Sequence, residues 1–104
     1  MPVTSIDGRD IHVDDEGFLT AYGEWDADLA GRLAERIGID LTDTHWKALT
    51  FLREDYAVRG ETATLRRVSA GAGIPIKELF ALFPTKPAKK MAYLAGLPKP
   101  HGCV

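Results

Sequence analysis

Glycine and proline cut this chain into pieces, and that punctuation limits what it can fold into. Gly8, Gly17, Gly38, Gly60, the Gly71-Ala72-Gly73-Ile74-Pro75 segment, Pro84 and Gly96 leave only short uninterrupted runs. Proline removes a backbone donor and fixes φ, and glycine opens the left-handed region, so each break ends a helix or turns a strand. Between the breaks the apolar residues recur mostly with helical spacing. Leu29, Leu33 and Ile37 predict a helix over 26–37, with Trp25 anchoring its start and Gly38 stopping it. Trp46, Leu49, Leu52 and Tyr56 predict a stronger helix from Thr42 or Asp43 to Arg59. Shorter helices are expected over 62–70, 75–82 (Ile76, Leu79 and Phe80 inward) and 87–95. At the start, Asp7-Gly8 predicts a tight hairpin turn, with Ile11 and Val13 alternating against polar neighbours and a second turn at Asp15-Glu16-Gly17. The expected fold is therefore mainly α: about five helices with an N-terminal β-hairpin. The single domain spans 1–96, and 97–104 form a flexible C-terminal arm, because Pro98 and Pro100 in LPKPHGCV cannot continue a helix.

A chain of 104 residues with 45% hydrophobic and 27% charged residues has the composition of one globular domain. It has no apolar run long enough to span a membrane and no signal-like N-terminus, so the expected compartment is the cytoplasm. Net charge is −2, yet residues 1–60 hold 13 acids against 6 Lys/Arg, and residues 61–104 hold 2 against 7. A basic second half can steer an anionic partner, or it can be an ordinary solvated surface; the asymmetry names no partner.

Few residues can do chemistry. Cys103 is the sole cysteine and stands one place from the end. Free cysteines prefer burial, so one on a proline-stiffened tail reads as a working thiol more readily than as an incidental one. Lys99 and His101 stand close in sequence and favour thiolate, while the terminal carboxylate opposes them. His12, His45 and His101 share no ligand spacing, so no metal is expected, and the chain lacks a phosphate loop or any other cofactor motif. The 62–82 segment has the outline of a helix-turn-helix. Its second helix, PIKELFALF, offers only Lys77 and Glu78 to a base edge, so DNA binding is not expected.

The string LFALFPTKPAKKMAYLAGLPKPHGCV resembles the C-terminus of the DsrC/TusE family of sulfur-relay proteins, and DDEGFL, THWKALTFLREDY and LRRV agree with it. The resemblance implies a small helical fold whose arm ends in a cysteine that carries persulfide sulfur. The implied function is that of a sulfur carrier, a sulfurtransferase-type relay component rather than an independent turnover enzyme. It would work between an upstream persulfide donor protein and a downstream sulfur acceptor protein, in 2-thiouridine formation on tRNA or in sulfur oxidation. The alternative it implies is a partner subunit of a sirohaem sulfite reductase. Cys103 is the implied catalytic residue, with Lys99, His101 and Arg66 contacting partners. DsrC-like relatives carry a second arm cysteine eleven residues before the last; Ala92 holds that position here. A single thiol restricts oxidation to a disulfide-linked dimer or a small-thiol cap. The connection through residues 69–74 is also shorter than the family pattern implies.

Overall fold

A computed structural model describes residues 3–100 of the chain. Strands β1 (Val3–Ile6) and β2 (Arg9–His12) pair antiparallel, with Val3 opposite His12 and Ile6 opposite Arg9. Asp7 and Gly8 both take positive φ, 50° and 85°, which is the two-residue turn whose twist matches the strands. Alternation buries Ile6 and Ile11 on one face and leaves Val3 in solvent. Asp14 closes the second turn by accepting from the backbone N–H groups of Glu16 and Phe18, and Phe18 and Leu19 return to the core.

Helix α1 (Ala27–Arg36) starts where the Asp26 carboxylate accepts from the Leu29 N–H at 2.8 Å, and it buries Leu29, Ala30, Leu33 and Ala34. Helix α2 (Asp43–Arg59) buries Leu49 and Leu52 as expected, while Trp46 and Tyr56 sit half-buried. Two polar residues of the helix, His45 and Asp55, are buried as well. Each is satisfied. His45 Nδ1 accepts from the Thr42 N–H, which puts the proton on Nε2, and Nε2 donates to the Leu82 carbonyl at 2.8 Å. Asp55 accepts from Arg67 Nε and Nη2, the latter at 2.6 Å.

Two boundaries differ from the sequence expectation. Helix α3 (Leu65–Ala72) begins after its cap Thr64, not at Thr62, because Thr62 and Ala63 are buried in an extended lead-in. It also runs through Gly71 to a left-handed Gly73. A glycine is needed inside the helix at residue 71 because the Phe51 ring lies against it: a Cβ would fall 2.1 Å from that ring. In α4 (Ile76–Leu82) the expected inward set is corrected. Leu79 is buried, but Ile76 is 39% exposed and Phe80 45%. A two-turn helix presents one stripe to its neighbours. Leu79 and Phe83 form that stripe, and Phe80 stands about 100° around the axis from Leu79. Ile76 is the first residue of the helix, a turn before Leu79.

Helix α5 (Pro87–Ala95) is the core helix, burying Met91, Ala92, Leu94 and Ala95. α2 packs on α5 and α3, α1 on α5 and β1, and α4 bridges α3 and α5. Packing continues past Gly96: Leu97 is fully buried and Pro100 is buried as well.

The Asp55–Arg67 pair yields a pH prediction. The Arg67 hydrogen bonds hold the Asp55 carboxyl below its ordinary pKa. A depressed carboxylate pKa stabilises the fold above the unfolded value, near 4, and that contribution disappears as pH falls through the folded value. Asp55→Asn should therefore lower the urea midpoint at pH 7 relative to the parent, with the gap closing below about pH 4. An equal gap at pH 7 and pH 2.5 would remove the ionised pair from the account.

Candidate functional site at the root of the C-terminal arm

The end of α5 is held by side chains from three separate segments. The helix stops at Gly96, which takes φ 69°, and the Leu97 N–H reaches back to the Ala92 carbonyl at 3.0 Å. This is the paired closure of a glycine-capped helix. The next carbonyls would otherwise lack partners. Trp25 Nε1 donates to the Leu94 carbonyl at 2.8 Å. Arg53 Nη1 donates to the Ala95 carbonyl at 2.8 Å, and the Thr62 hydroxyl donates to the Pro98 carbonyl at 2.8 Å. The Arg53 guanidinium lies over the Tyr22 and Trp25 rings, 4.0 and 4.1 Å from their centroids. Burial pulls its pKa down, with Tyr22 opposing, though a guanidinium stays charged throughout the physiological range. Trp25 also closes over Gly96, where a Cβ would meet the indole at 2.4 Å. The geometry fixes the position and direction in which the chain leaves the body.

The nominated residues fall in different places. Cys103 and His101 lie outside the described residues. Lys99 is on the exit path, and its ammonium pairs with Glu16 at 3.1 Å, so its charge is engaged by the second turn. Arg66 is exposed on α3 and, among the described residues, has no ion-pair partner. With Arg67 it borders a shallow groove of about 480 Å³ floored by Phe51 and Gly71. The residue that pairs with buried Asp55 is the neighbouring Arg67, whose own side chain is exposed. Among the described residues no group of three His, Cys, Asp or Glu side chains could hold a metal, and His45 is occupied by its two backbone contacts. Among the described residues no helix is long and apolar enough to cross a membrane.

Ala92, where two-cysteine relatives are implied to carry a thiol, is fully buried in α5 and anchors the closure of the helix. Ala92→Cys should therefore cost about 1–3 kcal/mol through overpacking. Its thiol should react with maleimide only after denaturation; rapid labelling in the native state would contradict this placement.

Trp25, Arg53 and Thr62 were not nominated as functional from sequence. The sequence reads Trp25 only as an anchor of α1 and Thr62 as part of α3. The acceptors they find are backbone carbonyls, which every residue carries, so no spacing announces the contact. The nearest signal in the sequence is Trp25 itself, read as the anchor of the α1 start.

Comparison with known proteins addresses the whole chain. Residues 5–104 match the family model described as DsrC like protein. The chain is 35% identical over 105 residues to the sulfite reductase, dissimilatory-type subunit gamma, of Nitratidesulfovibrio vulgaris, covering 100% of both sequences. It is 33% identical to the sulfurtransferase TusE of Escherichia coli, covering 95% of this chain and 97% of that one. The solution structure of Allochromatium vinosum DsrC superposes with a TM-score of 0.85 at 35% identity, covering 98% and 97% of the two chains. A family match that includes every described helix and runs through the cysteine at position 103 settles membership: this chain belongs to the DsrC-like family.

Proposed function

We propose that this protein is a sulfur carrier that holds sulfane sulfur on Cys103 and passes it between two partner proteins. The observation that carries the reading is the continuity of the family match through residue 104, a span that includes the sole thiol, Cys103. The clamp on the arm root supports it, because a carrier needs its last residues presented in one direction to two partners in turn.

The chemistry is thiol exchange in two steps. The Cys103 thiolate attacks the terminal sulfur of a donor persulfide; the donor's S–S bond breaks, the donor leaves as a thiolate, and a persulfide forms on Cys103. An acceptor thiolate then attacks that outer sulfur, and Cys103 leaves as a thiolate. One sulfur atom moves at each step and no external oxidant or reductant is consumed. In this reading Pro98 and Pro100 reduce the conformational freedom lost on docking. Arg66 and His101 remain proposed partner contacts, and Lys99 acts after exchanging Glu16 for a partner carboxylate.

A second reading, in which the thiol is the docked substrate of a sulfite reductase, is favoured by the full-length alignment with the gamma subunit. The two share Cys103 and differ in the partner. Incubation with a cysteine desulfurase and ³⁵S-cysteine should place reductant-releasable label on the wild type and none on Cys103→Ser. Release of that label to a protein thiol supports the relay. Stable association with a purified dissimilatory sulfite reductase that requires Cys103 supports the second reading.

A further inference from the structure

From Leu79 to the end of the chain there is no acidic residue, while Lys86, Lys89, Lys90 and Lys99 all fall within that stretch. The fold gathers three of these lysines on one surface. Lys86, Lys89 and Lys90 stand at i, i+3 and i+4 across the first turn of α5, which places them on one side of the helix. They border a groove of about 270 Å³ whose apolar walls come from Phe18, Ile37 and Tyr93. Phe18 and Tyr93 meet edge to face, 6.4 Å between centroids and 89° between planes, so the wall is a packed aromatic corner. Among the described residues Lys86 and Lys89 have no carboxylate partner; Lys90 donates to the Pro84 carbonyl. Glu16, the residue that holds Lys99, also lines the groove.

We propose that this lysine-rimmed groove is the docking site for an acidic amphipathic segment of a relay partner, one or two apolar side chains entering the aromatic corner and a row of carboxylates meeting the lysines. The partner's role rests on the carrier reading given above; the groove and its charge do not. Three observations select this occupant. The uncompensated charge on the α5 side is positive, so the complementary surface is acidic. The floor is apolar, which suits a side chain and gives a phosphate nothing to bond. Glu16 also interrupts the cationic border, and a phosphate backbone favours a continuous basic track. The groove is continuous with the arm through the Glu16–Lys99 pair. Three residues stand between Lys99 and Cys103, and the four chain steps from one to the other span at most about 14 Å. A segment seated in the groove is therefore within reach of the thiol, and a carboxylate arriving there competes for Lys99 and loosens its hold on Glu16.

The test uses the full chain and a synthetic amphipathic helix with glutamates at i, i+3 and i+4 beside leucine and phenylalanine. Titration should give saturable amide shifts at Phe18, Ile37 and Tyr93. The triple variant Lys86→Glu, Lys89→Glu, Lys90→Glu should bind about tenfold more weakly or worse, since like charges now face the probe. Lys89→Glu alone, which leaves the Lys90–Pro84 contact intact, should weaken binding in the same direction. Sulfur uptake by Cys103 from a small-molecule persulfide should be unchanged in the triple variant, so a failed carrier reading and a failed docking proposal give different results. Equal affinity of parent and triple variant, shifts confined to the Phe51–Arg66 groove, or tighter binding of a single-stranded oligonucleotide than of the peptide would each overturn the proposal.

Discussion

Replacing Gly96 with alanine is expected to lower the melting temperature by roughly 10–25 °C, given about 4–8 °C per kcal/mol for a domain of this size. Two costs add. The backbone at residue 96 takes φ 69°, which an L side chain adopts at a penalty of about 1 kcal/mol. The new methyl would also lie 2.4 Å from the Trp25 indole. That ring cannot retreat cheaply, because its Nε1 is committed to the Leu94 carbonyl and its face carries Arg53. Overpacking of this kind costs about 1–3 kcal/mol, for a total near 2–4 kcal/mol. Gly38→Ala is the control. Gly38 has a similar φ of 73° but nothing within 4 Å of its added Cβ, so it isolates the backbone penalty. If the two variants melt together, the Trp25 clamp is absent.

The second large effect concerns the residue just beyond that glycine. Leu97→Ala should destabilise the protein by about 2–5 kcal/mol, the range for truncating a fully buried leucine. The sequence puts residue 97 at the start of the arm, where a side-chain truncation costs almost nothing. Its burial, the Leu97 N–H bond to Ala92 and the Thr62 bond to Pro98 instead tie the start of that segment to the body. Chemical denaturation decides between the two. A loss under about 0.5 kcal/mol would fit a surface position.

What the sequence disclosed follows the kind of signal each element carried. The hairpin turn and the ends of α5 were legible because Asp7-Gly8, Pro87 and Gly96 act locally; the α1 cap was not, since Asp26 reads as the first helical residue and instead caps the helix from outside. His45 and Asp55 were not legible as core residues. A periodic reading assigns polar side chains outward, and the partners that permit their burial, Leu82 and Arg67, lie 37 and 12 residues away. Ile76 and Phe80 differ in the opposite sense: their hydrophobicity suggests burial, but Phe80 faces about 100° away from Leu79 and Ile76 is the helix's first residue, 39% exposed. Gly71 read as a helix stop because a close approach by a phenylalanine twenty residues earlier has no sequence signature. At the site, the tail string pointed to Cys103 as a whole motif, whereas Trp25, Arg53 and Thr62 emerged only once the carbonyls they satisfy had positions in space.

The clamp and the thiol make one claim: the fold presents a single carrier sulfur. Intact-mass analysis after incubation with a cysteine desulfurase and cysteine addresses it most directly. The wild type should gain about 32 Da, one sulfane sulfur, and lose it to reductant, as exchange at a single thiol requires. Cys103→Ser should gain nothing under the same conditions. An equal mass gain in Cys103→Ser, or no gain in the wild type while the desulfurase turns over, would contradict the account.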